Sequence, residues 1–334
     1  MQAWQCDNPT GVDSLVWRDL PDLQPAADEV VVAIAAASLN FPDILMVQNK
    51  YQIKPPTPFV PGAEFAGTIT QVGSEVTHLQ VGQAVACLAG TGAFATHTAA
   101  KATMCLPLPP GFPMADAAAF IMAYATSHHA LIDRGQVKAG DTVLIMGAAG
   151  GVGSSAIQIA KAKGAYVIAA ASSDAKCQFC TELGADATIN YTQHTPKDGL
   201  RDAIKAACAG NNSTAPNIVY DPIGGDYAEP AFRSIAWRGR YLVVGFASGP
   251  IPALPLNLAL LKGASIVGVF WGEFAKREPK ANADMMAELL QWAQAGTIKP
   301  PVAQSLPMKD LMQAFDIMSQ RGVMGKLVLT NSNQ

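Results

Sequence analysis

The sequence predicts an α/β protein made of a doubly wound parallel sheet and a second, mostly β domain. Three observations predict it. From about residue 115 apolar strands alternate with helical stretches, a glycine-rich turn joins the first of those strands to its helix, and the first hundred residues carry short extended runs cut by Gly and Pro. At 334 residues the chain is too long for one small core and suits two domains.

In the N-terminal part, "EVVVAIAAASL", "FAGTITQVG", "QAVACLA", "AFATHTAA" and "ATMCLPLP" read as strands, because each is an apolar or alternating run bounded by turn residues. In the later part, "DTVLIMG", "AYVIAAAS", "DATINY", "PNIVYDP", "RGRYLVVGF" and "ASIVGVFWG" make six strands, the number in a doubly wound dinucleotide-binding sheet. The helices "GVGSSAIQIAKAKG" and "DAKCQFCTELG" lie between the first three of them. Two more helices, "ADMMAELLQWAQAG" and "MKDLMQAFDIMSQRG", and a strand "GKLVLT" end the chain. The Pro-rich piece at 252–261 reads as a loop, and 192–217 reads as a surface excursion around a short helix.

Half the residues are apolar, and 23 basic against 26 acidic residues leave a net charge of -3. No basic block is present that could neutralise a row of phosphates, which argues against nucleic acid as the main partner. The first residues lack a positive stretch followed by an apolar one, and the longest apolar run, 30–39, is far short of the ~20 residues that cross a bilayer. The expectation is a soluble, cytoplasmic protein with no membrane partner. The six cysteines are expected as free thiols, and Cys177 and Cys180 fall inside a helix, which is not where a redox CxxC or a thiolate zinc pair belongs.

"VLIMGAAGGVGSSAIQIAKAKGAYVIAAASS" is the most informative stretch. A buried strand runs into the turn Ala149, Gly150, Gly151, Val152 and Gly153, and a helix opens there whose free N–H groups and positive dipole end suit a pyrophosphate. An NAD site would place a carboxylate about 20 residues beyond the glycines, at the end of the second strand. Ala171 and Ser172 stand there, followed by Ser173 and Lys176, so the pocket favours NADPH. Other readings stand beside this one: Ser173 as a plain N-cap, Lys176 as a solvated charge, and Asp174 as the carboxylate of an NAD site.

At "AASLNFPDILMVQNKYQ", "PFVPGAEFAGTITQVG", "GAAGGVGSSAIQIAKAKGA", "LGADATINY", "WRGRYLVVGFASG" and "LLKGASIVGVFWG" the chain resembles the zinc-independent quinone oxidoreductases, related to zeta-crystallin, of the medium-chain dehydrogenase/reductase superfamily. The resemblance covers essentially the whole length. It implies a GroES-like catalytic domain of 1–121 and 273–334 and a Rossmann domain of 122–272. It also implies that Asn40, Asp43 and Tyr51 line the nicotinamide and substrate end with Thr126 nearby, and that Lys176 and Tyr191 hold a 2′-phosphate. Phe246 and Phe270 should lie along the cofactor, and Lys326 should come in from the tail. Where zinc-dependent relatives carry Cys and His ligands this chain has Asn40 and Ala63, so no metal is expected. Some relatives carry a tyrosine where this chain has Leu45.

The activity so implied is hydride transfer from NADPH to a quinone or an α,β-unsaturated carbonyl compound, with solvent or Tyr51 supplying the proton. An enoyl-thioester reductase and a non-catalytic, crystallin-like NADPH-binding protein remain as alternatives. Glu64, set among small residues in "PGAEFAG", is expected to meet backbone N–H groups or a basic side chain instead of a metal. His128 and His129 read as structural. The apolar "SIVGVFWG" at a sheet edge, with the resemblance, implies a homodimer.

Overall fold

A computed structural model describes residues 1–195, 198–320 and 322–331. The chain divides into two compact units, 1–122 with 300–334 and 123–299. The first unit holds β1 (Gln2–Cys6), β2 (Leu15–Asp19), β3 (Glu29–Leu39), β4 (Glu64–Val72), β5 (Ala84–Leu88), β6 (His97–Lys101) and β7 (Cys105–Pro107). The second holds β8 (Thr142–Met146), β9 (Tyr166–Ala171), β10 (Ala187–Asn190), β11 (Ile218–Asp221), β12 (Arg240–Val243) and β13 (Ser265–Gly268), and the first unit is completed by β14 (Val302–Pro307) and β15 (Lys326–Thr330).

In the first unit the strands run β14-β15-β3-β4-β5-β7, with β6 also on β3 and a separate β1-β2 ribbon. Most pairs are antiparallel, and β3 is the spine of the sheet because both its faces are apolar and buried. Its register fixes the site chemistry. Ser38 of β3 stands opposite Glu64 of β4, and Leu39 opposite Leu327 of β15, which carries Lys326 to the level of Asn40. The core of this unit packs Phe65, Phe94, Leu39, Ile34 and Phe315.

The second unit is a six-stranded parallel sheet ordered β10-β9-β8-β11-β12-β13. This is the doubly wound order, in which the strand direction of winding reverses between β8 and β11, so their carboxyl ends flank the ligand crevice of such sheets. Each of the six strands expected from the sequence is present. Strands β1, β2 and β14 were not visible in the sequence, since "QAWQC", "LVWRD" and "VAQSLP" are short and mix polar with apolar residues.

Two loop expectations are corrected. The segment read as an excursion carries the helix Asp198–Cys208, whose Leu200, Ile204 and Cys208 are buried in the core of the second unit, so it is a packed crossover helix. Within the Pro-rich piece, Asn257–Lys262 is helical, with Leu258 buried. The return to the first unit falls at Pro300, whereas the resemblance implies 273. The reason is packing: Glu288 of the helix Pro279–Gln294 accepts from His128 at 2.8 Å and from Lys163 at 3.1 Å, and Phe274 stacks on His129 at 4.4 Å. Among the described residues no helix is long and apolar enough to cross a membrane.

Candidate active site

The first cluster is built around Glu64, which is fully buried. A carboxylate there must be met by donors on nearly every lone pair, and it is. Oε1 accepts the Met122 N–H at 2.8 Å; Oε2 accepts Ser38 Oγ at 2.7 Å and Asn40 Nδ2 at 3.1 Å, with Lys326 Nζ at 3.5 Å. Lys326 Nζ also donates to Asn40 Oδ1. Asn40 is thereby fixed at both ends of its amide, its oxygen on the ammonium and its nitrogen on the carboxylate. The partners expected for Glu64, a backbone N–H and a basic side chain, are both present.

Asn40 precedes the helix Phe41–Val47, and Asp43 in its first turn accepts the Asn40 N–H through Oδ2 at 2.7 Å. That contact is the helix-capping half of Asp43; its Oδ1 is buried with no hydrogen-bond partner. Burial pushes the Asp43 carboxyl up to about 7, against the lowering pull of the Asn40 N–H and of Lys326. Tyr51 packs half-buried against the core of this unit, and burial, then the charge of Asp43, push its phenol up.

The raised carboxyl has a sign that can be measured. Between 3.8 and about 7 the native state holds a proton on Asp43 that the unfolded chain has released, so stability falls as pH rises through that window. The expected slope is up to about 1.4 kcal/mol per pH unit from this one group. Asp43→Asn should flatten it, as read by urea denaturation at several pH values, and an unchanged slope would show that Asp43 titrates normally.

The second cluster is the glycine turn of the second unit. β8 ends at Met146, and the helix Gly151–Ala162 begins after Gly150, with no side-chain cap and no acidic residue in its first turn. Its first N–H groups are therefore left for an outside acceptor. Gly153 is required by space: a methyl there would lie 2.5 Å from the Gly147 carbonyl oxygen and 2.7 Å from Ala148 Cα. Ala149 is buried, and Val152 is held from behind by Ser127, whose Oγ donates to the Val152 carbonyl at 2.8 Å and meets Ser155 Oγ and Tyr220 OH at 2.8 and 2.9 Å. Thr126, half-buried, is the neighbour of Ser127 on the helix Ile121–His128.

At the carboxyl end of β9, Lys176 Nζ donates to Ser172 Oγ at 3.0 Å, and Ser173 caps the helix Asp174–Glu182 through the Lys176 N–H at 3.3 Å. Asp174 is turned away into a neighbouring turn, where Asn190 and Gln193 donate to it at 2.7 and 3.0 Å. Tyr191 lies against Tyr227 with ring centres 4.6 Å apart. Phe246 is half-buried against Gly224, and Phe270, 56% exposed, follows β13. The structure thus joins Asn40, Asp43 and Lys326 in one cluster of the first unit, and Ser172, Ser173 and Lys176 in one group of the second.

Some residues escaped sequence reading. Ser38 and Asp221 carry no motif; Asp221 ends β11 and accepts from the Ile223 and Gly224 N–H groups at 2.9 Å and from Tyr241 OH, shaping the loop beside the sheet's switch point. A carboxylate closing an apolar strand before "PIGG" is the signal that marks it. His128 and His129 have a structural setting, although the carboxylate that meets His128 comes from 160 positions away. Among the described residues no three His, Cys, Asp or Glu side chains converge as a metal site would require.

Comparison with known proteins agrees with both units. The family model described as zinc-binding dehydrogenase matches residues 151–292, and that of the alcohol dehydrogenase GroES-like domain matches 26–110. The chain is 35% identical over 303 residues to quinone oxidoreductase-like protein 2 of Mus musculus, covering 90% of this chain and 85% of the mouse protein. The structure of quinone oxidoreductase from Pseudomonas syringae pv. Tomato DC3000 matches with a TM-score of 0.89 at 30% identity, over 98% of this chain and 99% of that one. Escherichia coli quinone oxidoreductase complexed with NADPH matches with a TM-score of 0.90 at 27% identity, over 99% of this chain and 100% of that one. With its Rossmann sheet, its GroES-like unit and these relatives, the chain belongs to the quinone oxidoreductase family of the medium-chain dehydrogenase/reductase superfamily.

Proposed function

We propose that the protein is a zinc-independent, NADPH-dependent quinone oxidoreductase that reduces a quinone or a related α,β-unsaturated carbonyl compound. The observation that carries the cofactor choice is the Lys176–Ser172 pair at the end of β9, with Asp174 drawn off by Asn190 and Gln193. The position that would hold a ribose with a carboxylate presents a cation and a hydroxyl instead, which fits a 2′-phosphate. The uncapped helix start at Gly150–Gly153 fits the pyrophosphate. Bound NADPH would supply the hydride.

The remaining work falls to side chains. Asn40, held by Glu64 and Lys326, offers a fixed amide at the substrate end in place of a thiolate ligand. Glu64 is met by the Ser38 hydroxyl, the Asn40 amide, the Met122 N–H and the Lys326 ammonium, so it serves the network. Tyr51, kept protonated by burial, is the side chain suited to give a proton to the reduced acceptor. Arg233 is paired with Glu229 at 2.6 Å and Lys262 donates to the Ile235 carbonyl at 2.7 Å, so neither is offered to a CoA phosphate.

Steady-state assay of NADPH and NADH against quinones, enals and enoyl-CoA esters tests the reading. Preferred turnover of NADPH with quinones or enones supports it; NADPH binding without turnover on any acceptor overturns it. Lys176→Glu should lower kcat/KM for NADPH by about 100-fold, from a lost charge-assisted hydrogen bond plus repulsion, with little change for NADH. Equal losses with both cofactors would remove the phosphate assignment.

The same reading includes a homodimer through β13, a terminal strand of its sheet with Ser265, Ile266 and Gly268 exposed. Trp237, at 71% exposure, packs beside Gly263 just ahead of that strand. An uncovered apolar edge of this kind calls for a pairing partner. Sedimentation should give twice the chain mass.

A further inference from the structure

β5 and β7 pair antiparallel, with Val85 opposite Pro107, Ala86 opposite Leu106 and Cys87 opposite Cys105. The Leu108 N–H donates to the Ala84 carbonyl at 3.0 Å, which marks Ala84 and Leu108 as a hydrogen-bonded pair. Alternation along the ladder then makes Cys87 and Cys105 a non-hydrogen-bonded pair, as it does Val85 and Pro107, where Pro107 has no N–H to give. At such pairs the Cα atoms lie about 4.5 Å apart with both side chains on the same face. That spacing falls within the ~4.4–6.8 Å range that a disulfide spans.

The two thiols are free and stand opposite one another across the strands, and Cys105 Sγ donates to the Lys101 carbonyl at 3.7 Å. The neighbouring Cys87 thiol pulls the Cys105 thiol down, while Cys105 and burial push Cys87 up. Burial pushes the other four up as well, Cys180 to about 12 and Cys208 to about 11, with Cys6 and Cys177 raised too. Cys105 is also the more accessible of the facing pair, at 8% exposure against 0% for Cys87, so it is the thiol an oxidant meets first, with a second sulfur already facing it. It also lies on the terminal strand of the sheet, three residues long, where local opening costs least.

We propose that Cys105 and Cys87 form a reversible oxidation site that reacts with hydroperoxides. The Cys105 thiolate attacks the peroxide oxygen; an S–O bond forms, the O–O bond breaks, and the leaving oxygen departs as water or an alcohol after taking a proton. The Cys87 sulfur then attacks the Cys105 sulfur, an S–S bond forms and a second oxygen leaves as water. One peroxide is reduced by two electrons and two thiols become one disulfide, which a dithiol reductant reverses. On β5 the crosslink falls next to Leu88, which stands opposite the buried Glu64 of the adjacent strand β4.

The full-length protein, treated with hydrogen peroxide, alkylated and mapped without reduction, should show one linked peptide pair, Cys87 with Cys105. The other four cysteines should remain alkylated, and dithiothreitol should restore both thiols. In Cys87→Ser, dimedone should label Cys105; in Cys105→Ser, Cys87 should stay a free thiol. Full alkylation of both residues after peroxide, or linkage through any other cysteine, overturns the proposal on the wild-type protein alone.

Discussion

Replacing Lys326 with Met should lower the unfolding free energy by about 3 kcal/mol, because it leaves the buried Glu64 carboxylate without its cation. The usual cost of breaking a buried pair is roughly 3–5 kcal/mol. The lower end applies here, since Ser38, Asn40 and the Met122 N–H continue to donate to Glu64. Asn40 loses the donor on its Oδ1 at the same time, so the amide is freed to turn. Under the proposed function kcat should fall more than NADPH affinity does. The double variant Glu64→Gln with Lys326→Met removes both charges and should regain most of the stability, because a neutral pair needs no counter-charge. Urea midpoints that match wild type in Lys326→Met would show that the pair is solvated.

Gly153→Ala should abolish dinucleotide binding at assay concentrations and cost about 1–3 kcal/mol of stability, the range for forced overpacking. The added methyl meets the backbone of Gly147 and Ala148 at 2.5–2.7 Å, and backbone in a tight strand-to-helix turn cannot step aside. Gly150→Ala is the control. Its methyl meets only the Gly147 carbonyl, at 3.4 Å, so the fold should survive with little change. Binding should still weaken, because the methyl would crowd the uncapped helix start. Calorimetric titration with NADPH alongside thermal denaturation separates the two effects; equal affinity of Gly153→Ala and wild type would mean that the glycine serves packing alone.

The parallel sheet was legible because "VLIM", "YVIAAA" and "IVYD" are continuous apolar runs, which only a strand covered on both faces tolerates. The turn at 147–153 was legible because glycine spacing reports close backbone approach. A short helix was legible in 192–217, but the packing of Asp198–Cys208 into the core was not, since one narrow stripe of three buried residues carries it. Strand β14 is likewise defined by its partner β15, with which it pairs from Val302 to Pro307, and not by its own residues. Cys87 and Cys105 are eighteen positions apart in sequence with nothing to relate them until the ladder sets them opposite one another.

Sequence by itself determined the two architectures, the position of the glycine turn and the residue types available around Asn40, because local pattern and spacing encode these. The tertiary structure alone decided which charges meet. Ser38, Glu64 and Lys326 come from three strands separated by up to 288 positions in number, with Asn40 one residue past β3, and it is the register of β15 and β4 on β3 that brings them together. Register is set by the burial of whole strand faces, and a shift of one residue would turn every one of these side chains to the opposite side.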